Sequence, residues 1–256
     1  MITKSHVLLA VAALGLFSGV ANATLIPVSK DDFTASAALL TFDEVSPNTG
    51  NPVFEPAMDA GPLPTVTTGG WFIGQTSAEG CTGAGCLMGD PSAALTLSPD
   101  ANPVVVLAVG DPADAVLTGV PAFRGPISLL FDKDIGAIGF DANFFDAPGT
   151  NLLTVFDRLG NTLYSAFNDQ AGSQFFGVAN EDGLNNIAGI QFTHEAGSNS
   201  GFAIDDLRFG PASAVDFPDT MPPPTADVNE PARNALVLLL GVFGIALGYT
   251  IRSRQR

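Results

Sequence analysis

Two acidic doublets stand far apart in this chain, Asp43-Glu44 within Thr41-Phe42-Asp43-Glu44-Val45 and Asp205-Asp206 within Phe202-Ala203-Ile204-Asp205-Asp206-Leu207. Aspartate is a poor strand former and its charge is costly to bury, so carboxylates inside apolar runs ask for a compensating charge. A hard cation is one solution. Asp43, Glu44, Asp205 and Asp206 would supply oxygen ligands for a structural Ca²⁺ where the first and last strands of a sandwich meet. The competing reading turns the acids to solvent, with Arg208 balancing one of them. Strict alternation along a strand places Asp205 and Asp206 on opposite faces, so at most one of them is readily core-directed.

Other reactive side chains are few. His194 is the one histidine after residue 23, beside Glu195 at the end of an apolar run, and it reads as a solvated loop residue. No Gly-x-Ser-x-Gly elbow is present to raise a serine nucleophile. Paired acids also serve glycoside hydrolysis, so a secreted carbohydrate-active or other hydrolytic enzyme using acidic residues is the alternative to a non-catalytic protein. The lone Trp71 follows Gly69-Gly70 and is either a glycan-stacking ring on a loop or a core residue. Cys81 and Cys86 enclose a glycine-rich loop, and two such close cysteines in an oxidising compartment predict a local disulfide.

The elements that must position these groups read as β-structure. Short apolar or alternating runs recur at 39–42, 71–73, 93–97, 104–109, 127–131, 135–140, 152–156, 162–167, 175–179, 187–192 and 202–209, without helical periodicity. Residues 155–164 predict a hairpin with its tip at 157–161. The pattern predicts an all-β, antiparallel two-sheet sandwich of jelly-roll type over residues 24–210. Residues 46–70, rich in proline and glycine, read as a long loop, and 211–228 as a stiff proline-rich linker. Residues 24–229 hold five bases against 25 acids, a balance near −20 that excludes a nucleic-acid partner.

Both ends carry addresses. Lys4 and His6 precede an apolar stretch that ends in Ala21-Asn22-Ala23, so residues 1–23 read as a secretory signal peptide. At the other end an uncharged apolar run, 235–251, spans roughly 26 Å as a helix, just enough for a thin bilayer core. Arg252, Arg254 and Arg256 follow it and would stay cytoplasmic, leaving a type I topology. Within the run Gly244 and Gly248 form a Gly-x-x-x-Gly helix-pairing pattern.

With Asn229-Glu230-Pro231-Ala232 ahead of that helix and the arginines behind it, residues 229–256 resemble the PEP-CTERM sorting signal of Gram-negative bacteria, with Asn229 in place of the first proline. The resemblance implies recognition by a membrane-embedded exosortase, removal of the tail, and transfer from a transient inner-membrane anchor to the cell surface or extracellular matrix. It also implies a part in exopolysaccharide, biofilm or floc formation. The stretches around Asp43 and Asp205 resemble the terminal strands of galactose-binding-like and MAM-type jelly rolls, which implies a structural Ca²⁺ beside those strands. The expected function is non-catalytic: an exported surface protein working in adhesion or exopolysaccharide interaction.

Overall fold

The computed structural model describes residues 24–58, 61–77, 86–110, 114–194 and 201–217. The expected signal peptide, the sorting tail with its helix, and Cys81 lie outside them. The described strands, in chain order, are β1 Leu25–Pro27, β2 Ala38–Leu40, β3 Val53–Phe54, β4 Ala57–Met58, β5 Gly61–Pro62, β6 Val66–Gly69, β7 Thr76–Ser77, β8 Leu87–Met88 and β9 Val104–Val109. They continue as β10 Asp114–Gly119, β11 Ile127–Ile135, β12 Ala137–Phe145, β13 Asn151–Phe156, β14 Thr162–Phe167, β15 Gly172–Asn180, β16 Ile187–His194 and β17 Ala203–Gly210.

Two antiparallel sheets form a sandwich. One runs β1-β15-β12-β17-β10-β9, with β2 also on β17, and the other runs β14-β13-β16-β11-β6-β3. From β11 to β17 the chain crosses repeatedly between the sheets, so each sheet is built from strands the other must hold in place. Inward residues of both sheets make one apolar core in which Phe192 of β16 is a hub. Its ring meets those of Phe140, Phe176 and Phe202 at 5.4, 5.1 and 5.1 Å between centroids. Edge-to-face pairs of this kind add roughly 0.5–1.5 kcal/mol each beyond burial of their area. The hairpin at 157–161 forms as expected, with Asp157 Oδ1 accepting from the amides of Leu159 and Asn161, both at 2.8 Å.

Several expectations need correction. The runs at 71–73 and 93–97 are not strands but share a single bridge, Phe72 with Leu97. They lie on the outer face of β16, where Phe72 and Leu95 pack with Phe156 and Ala188 as a satellite core. That third layer explains why all eight residues of β16 are buried. Gly189 permits the close approach, since a Cβ there would stand 2.7 Å from Leu129 O and 2.9 Å from Leu95 Cδ2. The expected loop at 46–70 carries four short strands, two of which extend the second sheet. Residues 211–217 are not linker: Ala212, Ala214 and Val215 are buried, Val215 bridges Phe33, and the Asp216 amide donates to Asp32 O at 2.8 Å. The packed body therefore runs to Phe217.

Candidate functional site

The two acidic doublets come closer than their sequence separation suggests, though not as one ligand set. β2 pairs with β17 through Leu40 and Leu207, which brings the segment after β2 toward the Asp205-Asp206 pair. Glu44 then turns back on its own chain and accepts from the Thr41 amide at 3.1 Å, while Asp43 stays exposed. Among the described residues no group of three or more His, Cys, Asp or Glu could hold a metal ion.

Asp205 and Asp206 do share a face, which corrects the strict-alternation expectation. Ile204 and Leu207 both enter the core, three positions apart, and the register against β12 slips between Gly139 and Asp141. The extra residue of this bulge is accommodated at Asp206, whose φ is +49°, a left-handed conformation that aspartate tolerates better than most side chains. Both acids consequently sit half-buried on the outer side of the sheet, with Asp141 directly across from Asp205.

The compensating cation there is an ammonium. Lys30, in the short 3₁₀ turn Lys30–Asp32, places Nζ 2.6 Å from Asp141 Oδ2 and 3.0 Å from Asp206 Oδ2. Arg208 adds a longer contact to Asp206 at 3.5 Å. Hydrogen bonding to Asp141 leads the effects that raise the Lys30 pKa. Burial pushes the Asp206 carboxyl up, but Lys30 and Arg208 outweigh it and hold it below the ordinary value. Among the described residues Asp205 has no such cationic partner. Burial raises it to about 6 against a backbone hydrogen bond from Asp206, with Asp114, Asp206 and Asp141 adding like-charge repulsion.

His194 is the second correction. It is the last residue of β16, 4% exposed, and its ring stands edge-on to Phe202 with centroids 4.8 Å apart. Burial, then the charge of Arg124, lowers its pKa to about 4 despite the opposing charge of Asp146. The imidazole is therefore neutral at physiological pH. Trp71 is 8% exposed, buried where the chain leaves β6, so it is not a stacking platform open to solvent. Cys86 is buried and not a free thiol, while its expected partner Cys81 lies outside the described residues.

What the sequence did not single out is a groove of about 490 Å³ on the outer face of the second sheet. Its floor is made by outward residues of β13, β14 and β16, including Leu152, Thr154, Ser165, Gln191 and Thr193, and its rim by Gln75 and residues 86–91. Beneath it Gln75 and Gln191 form a reciprocal amide pair, each Nε2 donating to the other's Oε1 at 2.9 Å. Gln191 Nε2 also donates to Ser128 Oγ at 2.9 Å, Ser128 Oγ donates to Gly70 O at 3.0 Å, and Gln75 Oε1 accepts from the Phe72 amide at 3.0 Å. The one legible signal was Gln191 and Thr193 alternating with apolar neighbours in β16, since a strand buried only against its own core has no use for them.

No protein-family model and no curated protein matches the chain. Among solved structures it is similar to a mutant of a family 29 carbohydrate-binding module at 14% identity, over 49% of this chain and 81% of that one, with a TM-score of 0.26. It is also similar to a cleaved adhesin domain of Lys-gingipain from Porphyromonas gingivalis at 12% identity, over 73% of this chain and 98% of that one, with a TM-score of 0.25. Superpositions at those scores carry no weight for fold or function, and the sandwich stands on its own strand registers.

Proposed function

We propose that this chain is a non-catalytic, exported surface or matrix protein whose sandwich binds a glycan in the groove over β13, β14 and β16. The observation that carries the reading is the groove itself. Its volume lies within the roughly 300–1,000 Å³ of ordinary ligand sites. Apart from Asp90 and His194, the polar side chains of its lining are hydroxyls and amides, which can donate to and accept from sugar hydroxyls. The buried amide pair fixes that lining before a ligand arrives, and a preorganised site loses less side-chain entropy on binding.

Delivery follows from the ends of the chain. The signal-like residues 1–23 export the body, the apolar run 235–251 halts it in the membrane, and an exosortase reading Glu230-Pro231 releases it to the surface of a Gram-negative cell. A chain truncated before residue 229 should pass into the periplasm or medium without the membrane-bound stage. Glu230→Ala should accumulate in the membrane, and processing as efficient as wild type in that variant would remove the sorting assignment.

Retention on a panel of immobilised glycans tests the binding function. The full-length protein should be retained without releasing products. Steady product release would favour a hydrolase, and no retention on any glycan would remove the binding reading.

A further inference from the structure

We propose that the groove selects uncharged oligosaccharides and rejects glycans bearing carboxylate or sulfate; this specificity rests on the glycan-binding reading above. Its basis is the charge inventory of the lining. Among the described residues no lysine or arginine lines the groove, and the titratable side chains of that lining are Asp90 and His194. Lys30 and Arg208 are drawn to Asp206 on the opposite sheet, Arg158 is held by Asp134 and by Phe131 O at 2.7 Å, and Arg124, whose charge reaches His194 against that of Asp146, stands outside the lining. Recognition of a carboxylate or sulfate normally uses an arginine or lysine, because a charge-assisted bond must replace the hydration the anion loses.

The wider field points the same way. Asp90 is exposed at the rim, and the body as a whole is near −20, so a polyanion is repelled before it reaches the floor. A neutral sugar meets none of that cost. Its hydroxyls match Thr154, Ser165 and Thr193, and the C–H faces of its rings match Leu152 and the half-exposed Met88. The same groove would serve a neutral polysaccharide of the surrounding matrix while leaving acidic polymers unbound.

Isothermal titration of the full-length protein in detergent settles the point. The probes are neutral oligosaccharides (gluco-, manno- and galacto-series) and oligomers of galacturonate and mannuronate of matched length, at low and high salt. At least one neutral series should bind, and every uronate should bind at least about tenfold more weakly at low salt, with the gap narrowing as salt screens the repulsion. A uronate that binds as tightly as the neutral series at low salt overturns the specificity but leaves glycan binding intact. Binding of neither class removes both. Ser165→Lys, at an exposed position of the lining, should draw uronates toward the affinity of the neutral series. If that variant keeps the wild-type melting temperature and changes no affinity, the bound glycan is not in this groove and the proposal falls.

Discussion

Gln75 and Gln191 lie 116 positions apart and hold each other by two hydrogen bonds of 2.9 Å between their side-chain amides. Gln191 belongs to the central strand of the second sheet, and Gln75 to the segment that covers its outer face. The pair therefore joins the third layer to the sandwich and sets the floor of the groove in one arrangement. Satisfied amides of this kind cost little to bury, whereas a single amide left without its mate keeps its full desolvation penalty.

Removing both amides should consequently cost less than the two single removals added together. Gln75→Leu or Gln191→Leu is expected to lower stability by about 1–3 kcal/mol, and the double variant by less than the sum of the two. Urea denaturation of the four proteins measures the coupling. Strict additivity would show that the two amides do not act as a pair.

His194 and Asp205 should pull stability in opposite directions with pH. The folded pKa of Asp205 is raised to about 6, so its contribution is full below the ordinary carboxylate value and is lost as pH rises through about 6. His194 is lowered to about 4, so its contribution is full above the ordinary imidazole value and is lost as pH falls toward about 4. Relative to wild type, Asp205→Asn should gain stability as pH rises from 4 to 6, and His194→Gln should gain as pH falls through the same window. Denaturation midpoints across that range test the slopes, which are independent of any constant cost of either substitution. Parallel curves for variant and wild type would show that neither group titrates as described.

The strands most legible in the sequence were those with a simple environment. β12 and β16 are rich in Ile, Ala and Phe and needed only period and composition to be found. Residues 71–73 and 93–97 looked the same, yet they form a covering layer. Their backbone bonds go to one another and to the hairpin, as from the Ile73 amide to Thr96 O and from Leu95 to Arg158 O. Hydrophobicity reports burial, and burial beneath a third layer resembles burial in a sheet. β10 was missed because Asp114-Ala-Val-Leu-Thr-Gly119 is short and follows a turn-like Asp-Pro-Ala. At the acidic cluster the need for a cation was legible but its source was not. Lys30 is 176 positions from Asp206, and only the pairing of β1 with β15 and β15 with β12 brings it there.

The sole tryptophan offers a direct reading of the covering layer. Trp71 is buried, so its emission should be blue-shifted in the native protein and poorly quenched by iodide, with both features lost in denaturant. Addition of a bound glycan should leave the emission nearly unchanged, because the ring is not open for stacking. Strong iodide quenching in the native state would mean that residues 71–75 do not cover the sheet as described.

Lys30→Met keeps the length of the side chain and removes its charge from Asp141 and Asp206. Asp206 should then titrate at higher pH, which carboxyl carbon resonances would report directly. Its folded pKa in wild type is depressed, so the stability it contributes is present above the ordinary carboxylate value and lost as pH falls through the folded one. The advantage of wild type over the variant should therefore be largest near neutrality and disappear in acid. It should also be small, on the order of 1 kcal/mol or less, because these side chains are about a third exposed and water screens the pair. Calcium separates the two accounts of the acidic cluster. With Lys30 in place the ammonium already supplies the positive charge that a cation would bring, so Ca²⁺ should not raise the wild-type melting temperature, nor EDTA lower it. A rise on adding Ca²⁺ to wild type, abolished by Asp206→Ala, would show that the cluster prefers the metal to the lysine.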